Sequence, residues 1–101
     1  MSRLEQLTKL HAADPADADL VYMIAMEHAK AGDPDGAITW LDKTLGVKAD
    51  YCYAFYQKAK MYLEKGEDER AKQVLRDGMR VAMRADPHAH SEMQALLDSI
   101  E

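Results

Sequence analysis

Only one cysteine, Cys52, stands among the 101 residues, so no disulfide can close within the chain. That is compatible with a reducing compartment. No basic residue adjoins Cys52 to stabilise a thiolate, which leaves it the part of a small apolar residue. No apolar run approaches the length of a membrane span. The opening Met1-Ser2-Arg3-Leu4-Glu5 has polar and charged residues where an export signal needs an apolar stretch, so the default expectation is a cytoplasmic protein with no membrane partner. Positive charge is also short: 13 Lys and Arg against 18 Asp and Glu give a net charge of -5. Nucleic-acid affinity depends on neutralising phosphates, so this balance argues against such a partner.

The chemistry of catalysis is equally sparse. The chain has no phosphate-cradling loop, no nucleophile motif and no His-Glu-x-x-His helix. His88 and His90 lie two apart, diverge on a helix and have no evident third ligand. We therefore expect no catalytic residues, no metal and no cofactor. The absences point away from an enzyme and toward a surface.

What is present is a core and a period. Apolar residues make up 48% and charged residues 31%, which excludes disorder and allows one domain. Displacing the chain by 34 residues lays Val21 on Phe55, Ala25 on Ala59, Gly32 on Gly66, Ala37 on Ala71, Leu41 on Leu75 and Leu45 on Met79. A fixed period in this range signals stacked copies of one supersecondary unit.

Two glycine-centred breaks set the unit. In Ala31-Gly32-Asp33-Pro34, Gly32 can end one helix in the left-handed conformation, Asp33 can cap the next, and Pro34 suits its first turn. Lys65-Gly66-Glu67-Asp68 is the equivalent break. Connections this short make antiparallel helical hairpins, one over roughly 18–46 and one over 51–84. In the first, helices are expected near 18–31 and 34–45; Ala37, Ile38, Leu41, Thr44 and Leu45 give the second of these one buried face, and Gly46 stops it. Asp50 is the expected cap of the following helix. The later helix of the second hairpin repeats the face with Ala71, Val74, Leu75, Gly78 and Met79.

Flanking helices complete the pattern. Leu4, Leu7 and Leu10 form a stripe that stops at Asp14-Pro15, and Met93, Leu96, Leu97 and Ile100 follow a restart at Asp86-Pro87 or, through the capping-box spacing of Ser91 and Gln94, slightly later. The expected organisation is a single domain: residues 1–17 as a half-repeat or cap, 18–51 and 52–85 as two repeats, and 86–101 as a C-terminal cap.

These positions resemble the tetratricopeptide repeat family, whose pattern is W-x₂-L-G-x₂-Y, then A-x₃-F, then P. In order, this chain offers Val21 and Phe55, Ile24 and Lys58, Ala25 and Ala59, His28 and Tyr62, Ala37 and Ala71, and Leu41 and Leu75. Thr44 and Gly78 fall where the family favours a packing alanine. The terminal proline is replaced by Ala49 and Met83, and Pro87 comes four residues late, which predicts a longer final hairpin helix. Pro15 lies 34 residues before Ala49, as if ending an earlier repeat. The resemblance implies an all-α, right-handed superhelical solenoid of α-hairpins with about six helices. It also implies a non-enzymatic adaptor or scaffold that grips a peptide or helix in a concave groove lined by the first helix of each hairpin.

On the faces that the family exposes in that groove stand Asp19, Tyr22, Met26 and Lys30, with Met23 beside them, and then Tyr53, Tyr56, Lys60 and Glu64, with Gln57 beside them. Independently of the resemblance, residues 20–26 are apolar without interruption, broader than one packed stripe requires. Tyrosine offers area with a hydroxyl, and methionine adapts its shape to a partner. The alternative is that Tyr22 and Tyr56 pack against flanking helices and leave no groove.

Tyr22 and Met26 stand where a Lys/Asn/Arg clamp for a C-terminal carboxylate would begin, so binding of chaperone C-terminal tails is not expected. Lys58 replaces a core leucine and either snorkels to the rim or makes an ion pair; His28 is expected to pack. Arg76, Arg80 and Arg84 form a helical stripe, read as solvated or as a surface for an acidic partner. Two other functional readings stay open: self-association into a homo-oligomer, and RNA binding in the manner of pentatricopeptide repeats, which the acidic balance disfavours.

Overall fold

The computed structural model describes all residues from Met1 to Glu101 and contains six helices and no strand. In order they are α1 (Arg3–Ala13), α2 (Ala18–Lys30), α3 (Pro34–Val47), α4 (Cys52–Glu64), α5 (Asp68–Ala85) and α6 (Pro87–Ile100). The chain divides into two compact units, Met1–Ala49 and Asp50–Glu101, each made of three helices.

In the first unit, α2 and α3 form the hairpin expected around Gly32. Gly32 takes φ +78°, a conformation that a side chain would disfavour. The Asp33 N–H then donates to the His28 carbonyl at 2.9 Å and the Gly32 N–H to that of Ala29 at 3.1 Å, a Schellman closure of α2. Asp33 also caps α3: its Oδ1 accepts from the Gly36 N–H at 3.0 Å, and Pro34 occupies the first turn. Val21, Ile24 and Ala25 on α2, and Ala37, Ile38, Leu41 and Thr44 on α3, are buried. Buried Thr44 satisfies its hydroxyl by donating to the Trp40 carbonyl at 2.8 Å. α1 begins at Ser2, whose side chain accepts from the Glu5 N–H, and it buries only Leu7 of the expected leucine stripe.

The second unit repeats the hairpin with different side chains. Gly66 takes φ +75°, and the Glu67 and Gly66 N–H groups donate to the carbonyls of Tyr62 and Leu63 at 2.9 and 3.0 Å. Around this turn Cys52, Ala59, Ala71, Leu75, Ala82, Ala89, Met93 and Leu97 make a core, with Phe55, Tyr62 and Val74 packed against it. Gly78 is required by space rather than by conformation. A Cβ there would lie 2.5 Å from the Cβ of Phe55 and 2.7 Å from the Sδ of Met93, so α4, α5 and α6 meet at this point. α5 is four residues longer than α3, one extra turn, as the displaced Pro87 implies. Asp86 ends α5 and caps α6, accepting from the Ala89 N–H at 3.1 Å, so α6 starts there and not near Ser91.

Three local expectations are corrected. Gly46 does not stop α3: the helix passes through it to Val47, and the Lys48 N–H still donates to the Thr44 carbonyl at 2.9 Å. A glycine ends a helix only where the next turn needs positive φ, and here only Gly32 and Gly66 take it. Asp50 is not the cap of α4; Tyr51 holds that position and makes no capping side-chain bond. His28 is more than a packing residue, because its ring reaches across the first hairpin turn to Asp33.

Candidate protein-interaction faces

The α2 face is fixed from its N-terminus. Asp17 accepts from the N–H groups of Asp19 and Leu20 at 3.0 and 3.3 Å, which sets the helix phase. With Val21, Ile24 and Ala25 buried, Tyr22, Met23 and Met26 are left half-buried and Asp19 and Lys30 exposed. Met23 is not free for a partner, since the Arg3 guanidinium of α1 reaches its Sδ at 3.8 Å.

On α4, Tyr53, Tyr56 and Gln57 are half-buried, whereas Lys60 and Glu64 are exposed. Tyr53 and Tyr56 meet edge to face with centroids 6.2 Å apart, and the Lys60 ammonium lies 5.6 Å from the Tyr56 ring centre. The helical spacing thus gathers two aromatic rings and a cation into one cluster, a combination suited to holding another polypeptide. Lys58, on the same helix, is half-buried.

The hairpin ends hold side-chain contacts that the periodic pattern did not mark. His28 Nδ1 lies 3.0 Å from Asp33 Oδ2, and the ring stacks on Trp40 with centroids 6.4 Å apart. His11 of α1 meets Trp40 edge-on at 5.4 Å, and the Lys43 ammonium sits 4.0 Å over the indole. The Gly36 N–H bond and then His28 hold the Asp33 carboxyl below the usual carboxylate range. In the second unit the equivalent positions are Tyr62 and Glu67. There Lys65 and Arg70 lie over the Tyr62 ring at 5.9 and 5.8 Å and pair with Glu67 at 3.2 and 3.9 Å. The 34-residue offset from His28 to Tyr62 and from Asp33 to Glu67 marks these positions as equivalent, though not that the His28 and Asp33 side chains meet.

The arginine stripe on α5 is engaged within its own unit. Arg76 pairs with Glu101 at 2.8 Å and Arg80 with Asp77, while Arg84 is exposed. His88 pairs with Glu92 at 3.0 Å.

Six helices, with equivalent glycine turns at Gly32 and Gly66, 34 residues apart, define an all-α helical repeat of the tetratricopeptide type. Solved structures agree. A Yersinia enterocolitica type III secretion translocator chaperone, SycD, matches with TM-score 0.86 at 16% identity, over 96% of this chain and 68% of that one. A tetratricopeptide repeat domain protein of Salinibacter ruber matches with TM-score 0.75 at 22% identity, over 83% of this chain and 94% of its own. A Bordetella parapertussis protein of known solution structure matches with TM-score 0.86 at 22% identity, over 99% and 88%. No protein-family model matches the chain, and no curated protein matches it in sequence.

Proposed function

We propose that the protein is a non-enzymatic interaction module that docks extended or helical segments of partner proteins, with one candidate face on α2 and another on α4. The observation that carries this reading is the cluster of Tyr53, Tyr56 and Lys60, in which two half-buried rings packed against the core edge stand beside an exposed ammonium. The α2 face adds Tyr22 and Met26, half-buried between exposed Asp19 and Lys30. Partly exposed aromatic rings beside a flexible cation give contact area and orientation together. The likeness in fold to a secretion chaperone and to other helical repeats supports the reading.

The test replaces Tyr22 and Tyr56 together by alanine and measures partner capture beside the wild type. Captured partners should bind the double variant at least about tenfold more weakly, as expected where aromatic anchors dominate an interface. Unchanged capture would rule out both faces. Sedimentation of the free protein across a concentration range separates this reading from self-association, which would increase the mass with concentration.

A further inference from the structure

Five cations of the second unit are paired with its own acids. Lys65 and Arg70 meet Glu67 at 3.2 and 3.9 Å, Lys72 meets Glu69 at 3.3 Å, Arg76 meets Glu101 at 2.8 Å, and Arg80 meets Asp77. Lys60 differs from all of these. It is exposed and makes no ion pair, although exposed Glu64 stands one turn further along α4. Lysine before glutamate at this spacing is the poorer order for a helical pair. The ammonium lies instead 5.6 Å from the Tyr56 ring centre, and that ring meets Tyr53 edge to face. A ring face attracts a cation without neutralising it. In a chain of net charge -5, the α4 face thus keeps an uncompensated positive charge beside two aromatic rings.

On the reading that partners dock at α4, we infer that this face takes an extended segment carrying one Asp or Glu two residues from an apolar side chain. The apolar side chain covers the Tyr53 and Tyr56 rings, and the carboxylate meets the Lys60 ammonium. The spacing follows from helix and strand geometry. Lys60 lies four residues beyond Tyr56, about 6 Å along the helix, and an extended segment advances about 3.3 Å per residue. A single acid is specified because Glu64, the next residue along this face, repels a second one. Charged groups at the edge of a contact select the partner more than they tighten it. Lys60 is therefore a specificity residue, and the rings supply the contact area.

The experiment selects peptides from a random displayed library on the immobilised full chain. Wild type, Lys60→Met, Lys60→Glu and Tyr56→Ala are used in parallel, each first shown to be folded by circular dichroism. Wild type should enrich Asp or Glu two residues from an apolar residue. Lys60→Met should keep the apolar preference and lose the acid, and Lys60→Glu should select Lys or Arg in its place. A synthetic copy of the most enriched wild-type peptide should bind Lys60→Met about two- to fivefold more weakly, as for an exposed ion pair. Its affinity should fall more steeply with salt for wild type than for Lys60→Met. Peptides that depend on Tyr56 but carry no acid, or the same acid preference on Lys60→Met, would overturn the inference and leave docking at α4 standing. No enrichment, or peptides indifferent to Tyr56→Ala, would overturn docking at α4 and the inference with it.

Discussion

Gly78 shows how much a single missing methyl group can decide. An alanine there would gain about 1 kcal/mol of helix propensity. Its Cβ would also overlap Phe55 at the Cβ, an atom fixed to the α4 backbone, and the more yielding Met93 sulfur. Overpacking a tight core costs roughly 1–3 kcal/mol, so the clash should win and Gly78→Ala should lower stability by about 1 kcal/mol in urea denaturation. Asp33 gives a second test through pH. Its carboxyl is held below the usual range by the Gly36 N–H and by His28, so the unfolded chain binds the proton more readily. The associated stability is present above the ordinary carboxylate value of 3.8 and is lost as pH falls through the lower folded value. Asp33→Asn should therefore be less stable than wild type at pH 7, with the difference closing in acid when urea midpoints are compared. Sequence reasoning identified Asp33 as a cap from its place before Pro34. It missed the His28 contact, because a pair five residues apart across a turn has no periodic signature.

At the scale of elements, the helix ends that were legible are those where one residue type alone satisfies the backbone. Gly32 and Gly66 take positive φ, and a Cβ at either would meet nothing within 4 Å, so the obstacle to substitution is conformation and not space. Gly32→Ala and Gly66→Ala should each cost about 1 kcal/mol by thermal or urea unfolding. Near-equal losses are expected, because the two turns share the same hydrogen bonds. The limits of α3 and α4 were less legible. Gly46 serves equally well inside a helix, and α4 begins without any capping side chain, so neither boundary carries a chemical mark. The extra turn of α5 was readable because Pro87, which cannot continue a helix, fixes where the next one starts. In α1 the leucine spacing announced a helix but overstated its burial, since spacing defines a face and not what covers it.

For the whole molecule, the 34-residue period made the repeat class visible, and Leu41 and Leu75, both fully buried at matching positions, embody it. Replacing either by alanine should cost about 2–5 kcal/mol. The interaction faces were legible only as helix positions. That Tyr53, Tyr56 and Lys60 form a cluster, while Arg3 reaches Met23, depends on rotamers and on which neighbour arrives, and no spacing encodes those. The basic stripe of α5 supplies a comparison surface, since Arg76 and Arg80 are already engaged by acids of their own unit. The decisive measurement is partner capture by three forms side by side: wild type, Tyr22→Ala/Tyr56→Ala, and Arg76→Ala/Arg80→Ala/Arg84→Ala, each first verified as folded by circular dichroism. Loss of captured protein with the tyrosine variant and retention with the arginine variant is the result predicted here. Retention with the tyrosine variant and loss with the arginine variant would contradict the central claim and move the interaction surface to α5.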